Sequence, residues 1–476
     1  QAERRYAQAM RMVDRLRVNP RLANERDVAQ AQAAFRSIQE RFPATVWTRP
    51  ERLERRYARD VASISGRAAI AVARLEEMRG RVAPALAGYE RAARDYAALL
   101  PVRLEAVAAR AATLERTGDP RTPDALTTLA RDFPLVDPET GEPIVAVLDA
   151  LLRVAQDAFA AGRHAAADST LADAERRLTD ALARARGRQA APELWIRLAR
   201  VRTTRGGAQS LEPTLDALRQ ALAEPKVGAL RAQVVLMLGE YALAGGRPDS
   251  ALVYARWAET IDQARARPEA LMLMARVWEA RGAPDSALAA YGRFVDSYPA
   301  AVDAGSVARY RRALLFEATD RWEQARSEYR ALAAHHPAHE LALESSLRIV
   351  AYHLGRGQAE LARMEGRSAG ERMDRLIATY RDDRIVMKAR EARARVLLAL
   401  ADYGPACDAL AELWQRYGST PTGTLAALDA ARVAEIHLGD PPRARTLYQE
   451  VAERGVGADA QRVARAALAR MEGQGG

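Results

Sequence analysis

The chain has 476 residues, 49% hydrophobic and 28% charged, a composition that folds rather than stays disordered and a length too great for one compact core. One cysteine, Cys407, excludes an intrachain disulfide framework or a cysteine zinc site, and no apolar run reaches bilayer-spanning length. The net charge of +10 is uneven, with 20 Arg against 12 Asp and Glu in residues 1–100 and near balance in the remainder.

In chain order, Gln1 stands where a Met would begin an unprocessed chain, as after removal of a secretory signal peptide or after trimming. Abundant Ala, Leu, Arg and Glu, with 6% aromatics, favour helix over strand throughout. The basic first fifth points to an acidic partner or an anionic membrane surface; the plainer reading is a GC-rich genome writing Arg wherever a cation will do. A helix closes at Phe42-Pro43, because Pro cannot continue one and restricts its predecessor. The same closure recurs at Phe133-Pro134, Tyr298-Pro299 and His336-Pro337.

A second phrase, Gly then Ala five positions on, begins at Gly80/Ala85 and returns at Gly162/Ala167, Gly246/Ala251, Gly282/Ala287 and Gly439/Ala444. Variants without the Gly end at Ala325 and Ala406. Four residues after the Ala stand Tyr89, Leu171, Tyr291, Tyr329, Leu410 and Tyr448, with Ala255 in the remaining copy. The Ala positions lie 36 residues apart (251 to 287), then 38 (287 to 325 and 406 to 444), and elsewhere 81 to 84. The long gaps predict degenerate copies within Leu104–Ala130, Leu194–Leu222 and Met373–Tyr380. The physical sense is a helical hairpin. Gly ends the first helix in the left-handed conformation, Pro, Asp or Ser starts the second, and the small Ala lets the two approach closely. Repeat regularity divides the chain into 1–100, 101–227, 228–345, 346–394 and 395–476.

These phrases resemble the tetratricopeptide repeat. Pro268–Ala301 fits best, through Leu271, Met274, Ala275, Trp278, Ala287, Tyr291, Phe294 and Pro299. Ser306–Ala338 fits through Ala313, Phe316, Ala325, Tyr329, Leu332 and Pro337, and departs at Arg309 and Arg312, where apolar residues are usual. The resemblance implies an all-α, right-handed superhelical solenoid of antiparallel helix pairs. It carries no catalytic residue. The stretches Ala34–Pro43 and Ala290–Pro299 share an Ala-aromatic, aromatic-Pro form. They look like the repeats of bacterial outer-membrane assembly and Tol–Pal accessory proteins, which implies a periplasmic or extracytoplasmic place, with a cytoplasmic one as alternative. There is no N-terminal cysteine to carry a lipid.

Motifs of a chemical kind read weakly. Gly366-Arg-Ser368-Ala-Gly370 matches a hydrolase elbow, but no strand precedes it, and an inter-helix loop is expected there. His335, His336 and His339 are of metal-ligand type, though Pro337 prevents helical pairing. Cys407 and the tryptophans Trp195, Trp257, Trp278, Trp322 and Trp414 are expected in the core. The clusters Arg52–Arg59 and Arg184–Arg188 lack interleaved aromatics for base stacking and read as solvated faces.

First helices of such a solenoid line a concave face. The residues read as partner-binding there are Gln233, Leu236, Glu240, Glu269, Met272, Arg276, Glu279, Tyr310 and Glu317, a mix suited to an extended peptide or a helix. The expected function is a non-enzymatic scaffold with protein or peptide partners, without catalytic, metal or cofactor residues or a small-molecule substrate. Peripheral membrane association stays open. The alternatives are a module of a peptidoglycan-acting enzyme and a nucleic-acid-binding repeat protein using the basic N-terminal region.

Overall fold

A computed structural model describes all residues except 19–24, 140, 207–209, 263–264 and 474–476. Two compact units divide it, Gln1–Gly245 and Gly246–Gly476. Both are built of α-helices, and among the described residues β-structure is limited to one isolated antiparallel bridge between Val136 and Pro143.

Unit 1 opens with α1 (Ala2–Val18) packed on α2 (Glu25–Arg41), followed by the single turns α3 (Ala44–Trp47) and α4 (Pro50–Leu53). Helix pairs follow: α5 (Arg56–Met78) with α6 (Val82–Asp95), α7 (Leu100–Thr117) with α8 (Thr122–Asp132), α9 (Val145–Ala160) with α10 (His164–Ala185), and α11 (Ala191–Arg205) with α12 (Leu211–Ala223). The unit ends with α13 (Arg231–Ala244). Unit 2 starts at α14 (Pro248–Ile261). It continues through the pairs α15 (Arg267–Ala280) and α16 (Pro284–Ser297), α17 (Val302–Ala318) and α18 (Trp322–His335), α19 (Glu340–Gly355) and α20 (Ala359–Thr379), α21 (Asp383–Ala399) and α22 (Tyr403–Tyr417), and α23 (Pro421–Ile436) and α24 (Pro441–Arg454), closing with α25 (Ala458–Gly473).

The hairpin grammar has the backbone it requires. Gly80, Gly162, Gly246, Gly282 and Gly439 all have φ between 59° and 72°, where an L side chain meets the following carbonyl. In the two variants lacking Gly, Asp320 (φ 56°) and Ala401 (φ 59°) occupy the same left-handed conformation. Every anchor Ala, from Ala85 to Ala444, is buried. The helices α2, α8, α16 and α18 each stop one residue before the aromatic or His that precedes Pro. Helices α7/α8 and α11/α12 fill two of the long gaps as expected. The third is filled by a copy the phrase itself contains, Gly357 (φ 70°) followed by the buried Ala362. Its second helix is all of α20, of which Met373–Tyr380 covers only the end.

Two expectations change, and one departure finds its reason. Ser368 lies in the middle of α20 and not in a loop, its hydroxyl accepting from Arg372 Nη1 at 2.8 Å. Trp257 is 37% exposed, whereas Trp322 and Trp414 are buried. Arg309 and Arg312 are tolerated at apolar repeat positions because both pair with Glu328 of α18, at 3.3 and 3.2 Å.

Candidate interaction surfaces

First helices touch the next first helix in both units: α5 on α7 and α9 on α11 in unit 1, α17 on α19 and α19 on α21 in unit 2. The exposed faces of those neighbouring first helices therefore adjoin. Of the residues read as partner-binding, Gln233, Leu236 and Glu240 sit on α13 of unit 1, with Gln233 exposed and the other two half-buried. On α15 of unit 2, Glu269 and Arg276 are exposed and Met272 is half-buried. Tyr310 and Glu317 are half-buried on α17.

Glu279 and Glu317 have internal duties. Tyr291 Oη donates to Glu279 at 2.6 Å, and Tyr329 Oη to Glu317 at 2.8 Å. Each carboxylate is also reached by an Arg of the following first helix, Arg311 at 3.7 Å and Arg348 at 3.6 Å. The same relay recurs at Glu77, which takes Tyr89 Oη at 2.6 Å and Arg116, and at Glu435, which takes Tyr448 Oη at 3.2 Å and Arg470 at 2.6 Å. Burial raises the Glu77 pKa, but hydrogen bonds from Tyr89, Arg116 and Thr113 outweigh it and hold the carboxyl below its ordinary value. Burial and the facing carboxylate push the Tyr89, Tyr291 and Tyr329 phenols far up. Glu279 and Glu317 lie on the first helices α15 and α17, and each accepts from the tyrosine 12 residues on, across its hairpin.

What the sequence reading missed lies further along unit 2. A cleft of about 230 Å³ opens between α19 and α21, lined by Leu341, Glu344, Leu347, Lys388, Glu391 and Arg395 among others. Glu344 pairs with Arg395 across it at 3.2 Å, and Lys388 with Glu391 beside it at 3.4 Å. On α23, Leu425, Asp429, Arg432 and Ile436 are exposed. Desolvation raises the Asp429 carboxyl above its ordinary value, and Arg432 at 3.6 Å opposes this only in part. Half-exposed ion pairs beside short apolar side chains suit charge-assisted hydrogen bonds to a chain laid along the face.

The other chemical candidates resolve structurally. Cys407 is fully buried and burial pushes its thiol up, so it is a neutral core group at pH 7. His339 Nδ1 caps α19 by accepting from the Leu341 N–H at 3.1 Å. Burial, with His335 and His339 beside it, lowers the His336 pKa. No group of three His, Cys, Asp or Glu poised for a metal ion occurs among the described residues, and no described helix is long and apolar enough to cross a membrane.

A tetratricopeptide-repeat family model matches residues 269–301 and 307–339, which are the α15/α16 and α17/α18 pairs. No curated protein matches the chain. Among solved structures, a tetratricopeptide repeat protein from Parabacteroides merdae is 15% identical over 59% of this chain and 98% of its own, with a TM-score of 0.33. Yeast Tom70 is 11% identical over 98% of this chain and 96% of its own, with a TM-score of 0.39. MamA is 19% identical over 36% of this chain and 93% of its own, with a TM-score of 0.28. The match to both best-fitting hairpins, on the turn, anchor and aromatic positions described above, identifies them as tetratricopeptide repeats within an all-α array of helix pairs.

Proposed function

We propose that this chain is a non-enzymatic scaffold that holds a peptide or helix of a partner protein on the first-helix face of unit 2, in a bacterial cell envelope. Tetratricopeptide repeats support a protein-interaction scaffold in general. The observation that carries the particular face is the α19–α21 cleft, where ion-paired Glu344 and Arg395 flank accessible Leu341. The envelope placement rests on the aromatic-Pro phrases at Phe42-Pro43 and Tyr298-Pro299. A photo-crosslinking residue placed at Leu341 in cells is expected to capture a discrete protein partner. The same residue at Val253, exposed on α14, is expected to capture none. Equal capture at both positions would remove the assignment of the face. Capture should also fail when Glu344→Arg is made alone and return in part with Glu344→Arg and Arg395→Glu together. Fractionation of cells carrying the full-length gene tests the compartment.

A further inference from the structure

About half of this protein's arginines meet a carboxylate among the described residues, as in Arg74–Glu105 at 2.9 Å, Arg205–Asp168 at 2.7 Å and Arg443–Asp408 at 2.7 Å. Along one edge of unit 1 the share is lower. Arg49, Arg52, Arg55, Arg56 and Arg59 fall within 11 residues, from the α2–α5 connection into the start of α5, with Glu51 and Glu54 among them, and all are exposed. Arg184, Arg186 and Arg188 are exposed where α10 gives way to α11. Among the described residues, Arg59 alone of these eight meets a carboxylate. Its partner, Glu139 at 3.9 Å, comes from the α8–α9 connection.

Glu139 joins the two clusters. It also lines a cleft of about 440 Å³ whose other walls include Arg184, Arg188, Val136, Pro138 and Ala185. The turn that carries it is braced from within: Ile144 N–H donates to Leu135 O and Asp137 N–H to Glu142 O, both at 2.8 Å, and Glu139 N–H donates to Asp137 Oδ1 at 2.8 Å. Arg184 and Arg188 thus share a concave cleft with the carboxylates of Asp137 and Glu139, and Arg59 of the second arginine group reaches that cleft through Glu139.

We propose that this edge binds an acidic segment of a partner protein, whose carboxylates take Arg184, Arg188 and the Arg52–Arg59 group while Glu139 yields Arg59 to them. Guanidinium forks match carboxylates bidentately, and the position of Glu139 shows a carboxylate accommodated there. A pair between side chains 56% and 84% exposed is weakly held and readily exchanged. The cleft is concave, with apolar walls for the side chains between acidic residues, and a flat bilayer does not enter it. Base stacking on this stretch is limited to Tyr57, because the Trp47 ring is covered by Arg52 at 5.1 Å; phosphate contacts to the arginines are what the DNA arm of the test measures. This surface is separate from the α19–α21 cleft, so the two readings stand or fall independently.

The test is fluorescence anisotropy of the whole chain with a labelled Glu-Ala repeat peptide at low salt, beside its Gln-Ala counterpart, phosphatidylglycerol vesicles and mixed-sequence single-stranded DNA. Binding of the Glu-Ala peptide is expected to weaken about tenfold in Arg52→Glu/Arg56→Glu, and by a similar factor in Arg184→Glu/Arg188→Glu. Both are exposed sites, and the melting temperature should hold. Glu139→Gln should tighten binding about threefold by freeing Arg59. The proposal is overturned if the Gln-Ala peptide binds as well, if either arginine pair proves neutral, if Glu139→Gln weakens binding, or if vesicles or DNA bind and the acidic peptide does not.

Discussion

The α15/α16 hairpin turns at Gly282 and, nine residues on, buries Tyr291 against Glu279; the α19/α20 hairpin turns at Gly357 and at the same distance has Gly366. Where the first has Glu279, three residues before the turn, the second has the exposed Leu354. In the first, a phenol reaches across to a carboxylate. In the second, the space is taken from outside by Leu400 and Val396 of the α21 side, so close that a Cβ on Gly366 would lie 2.6 Å from Leu400 Cδ1 and 3.3 Å from Val396 Cγ1. The slot behind the turn is thus a requirement of shape, met either by a large ring from within the hairpin or by the neighbour's side chains. Repeat consensus alone would treat Gly366 as a defect.

The sharpest way to break this comparison is Gly366→Tyr, which restores the consensus ring. It is expected to destabilise the protein by about 3 kcal/mol through overpacking, read as a lower denaturant midpoint. A gain in stability would mean the slot is vacant and the contrast false. Next in size, Tyr291→Phe keeps the ring and deletes the donor to Glu279. A loss of about 1.5 kcal/mol is expected, since a partly buried carboxylate loses a charge-assisted bond. A neutral result would reduce the relay to ring packing. The smallest effect concerns the turn itself. Ala401→Gly should raise stability by about 1 kcal/mol, because φ of 59° strains an alanine. Asp320→Gly should gain less, as Asp tolerates this conformation better and Asp320 also meets Arg356 at 3.2 Å.

How far these features could be read in advance follows from their range along the chain. The Gly and Ala of each turn are five residues apart and act within one hairpin, so helix class, pairing and the 269–301 and 307–339 repeats were legible. The copy at Gly357/Ala362 was hidden although its first two positions obey the phrase, because Gly366 replaces the expected large residue and α20 runs to 21 residues against the 14 of α16. That the candidate residues lie on the first helices α13, α15 and α17 was legible from helical spacing. The α19–α21 cleft was not, because Glu344 and Arg395 lie on different hairpins. Arg52–Arg59 and Arg184–Arg188 were visible as clusters, but only the Glu139 turn shows that they share an edge.

The relays share a direction. Glu77, Glu279, Glu317 and Glu435 each take their tyrosine from their own hairpin and their arginine from the first helix that follows. A ribosome making the chain releases every such carboxylate before its counter-ion exists. Each hairpin therefore emerges with its carboxylate able to take a phenol from its own second helix, while the arginine arrives only with the next first helix.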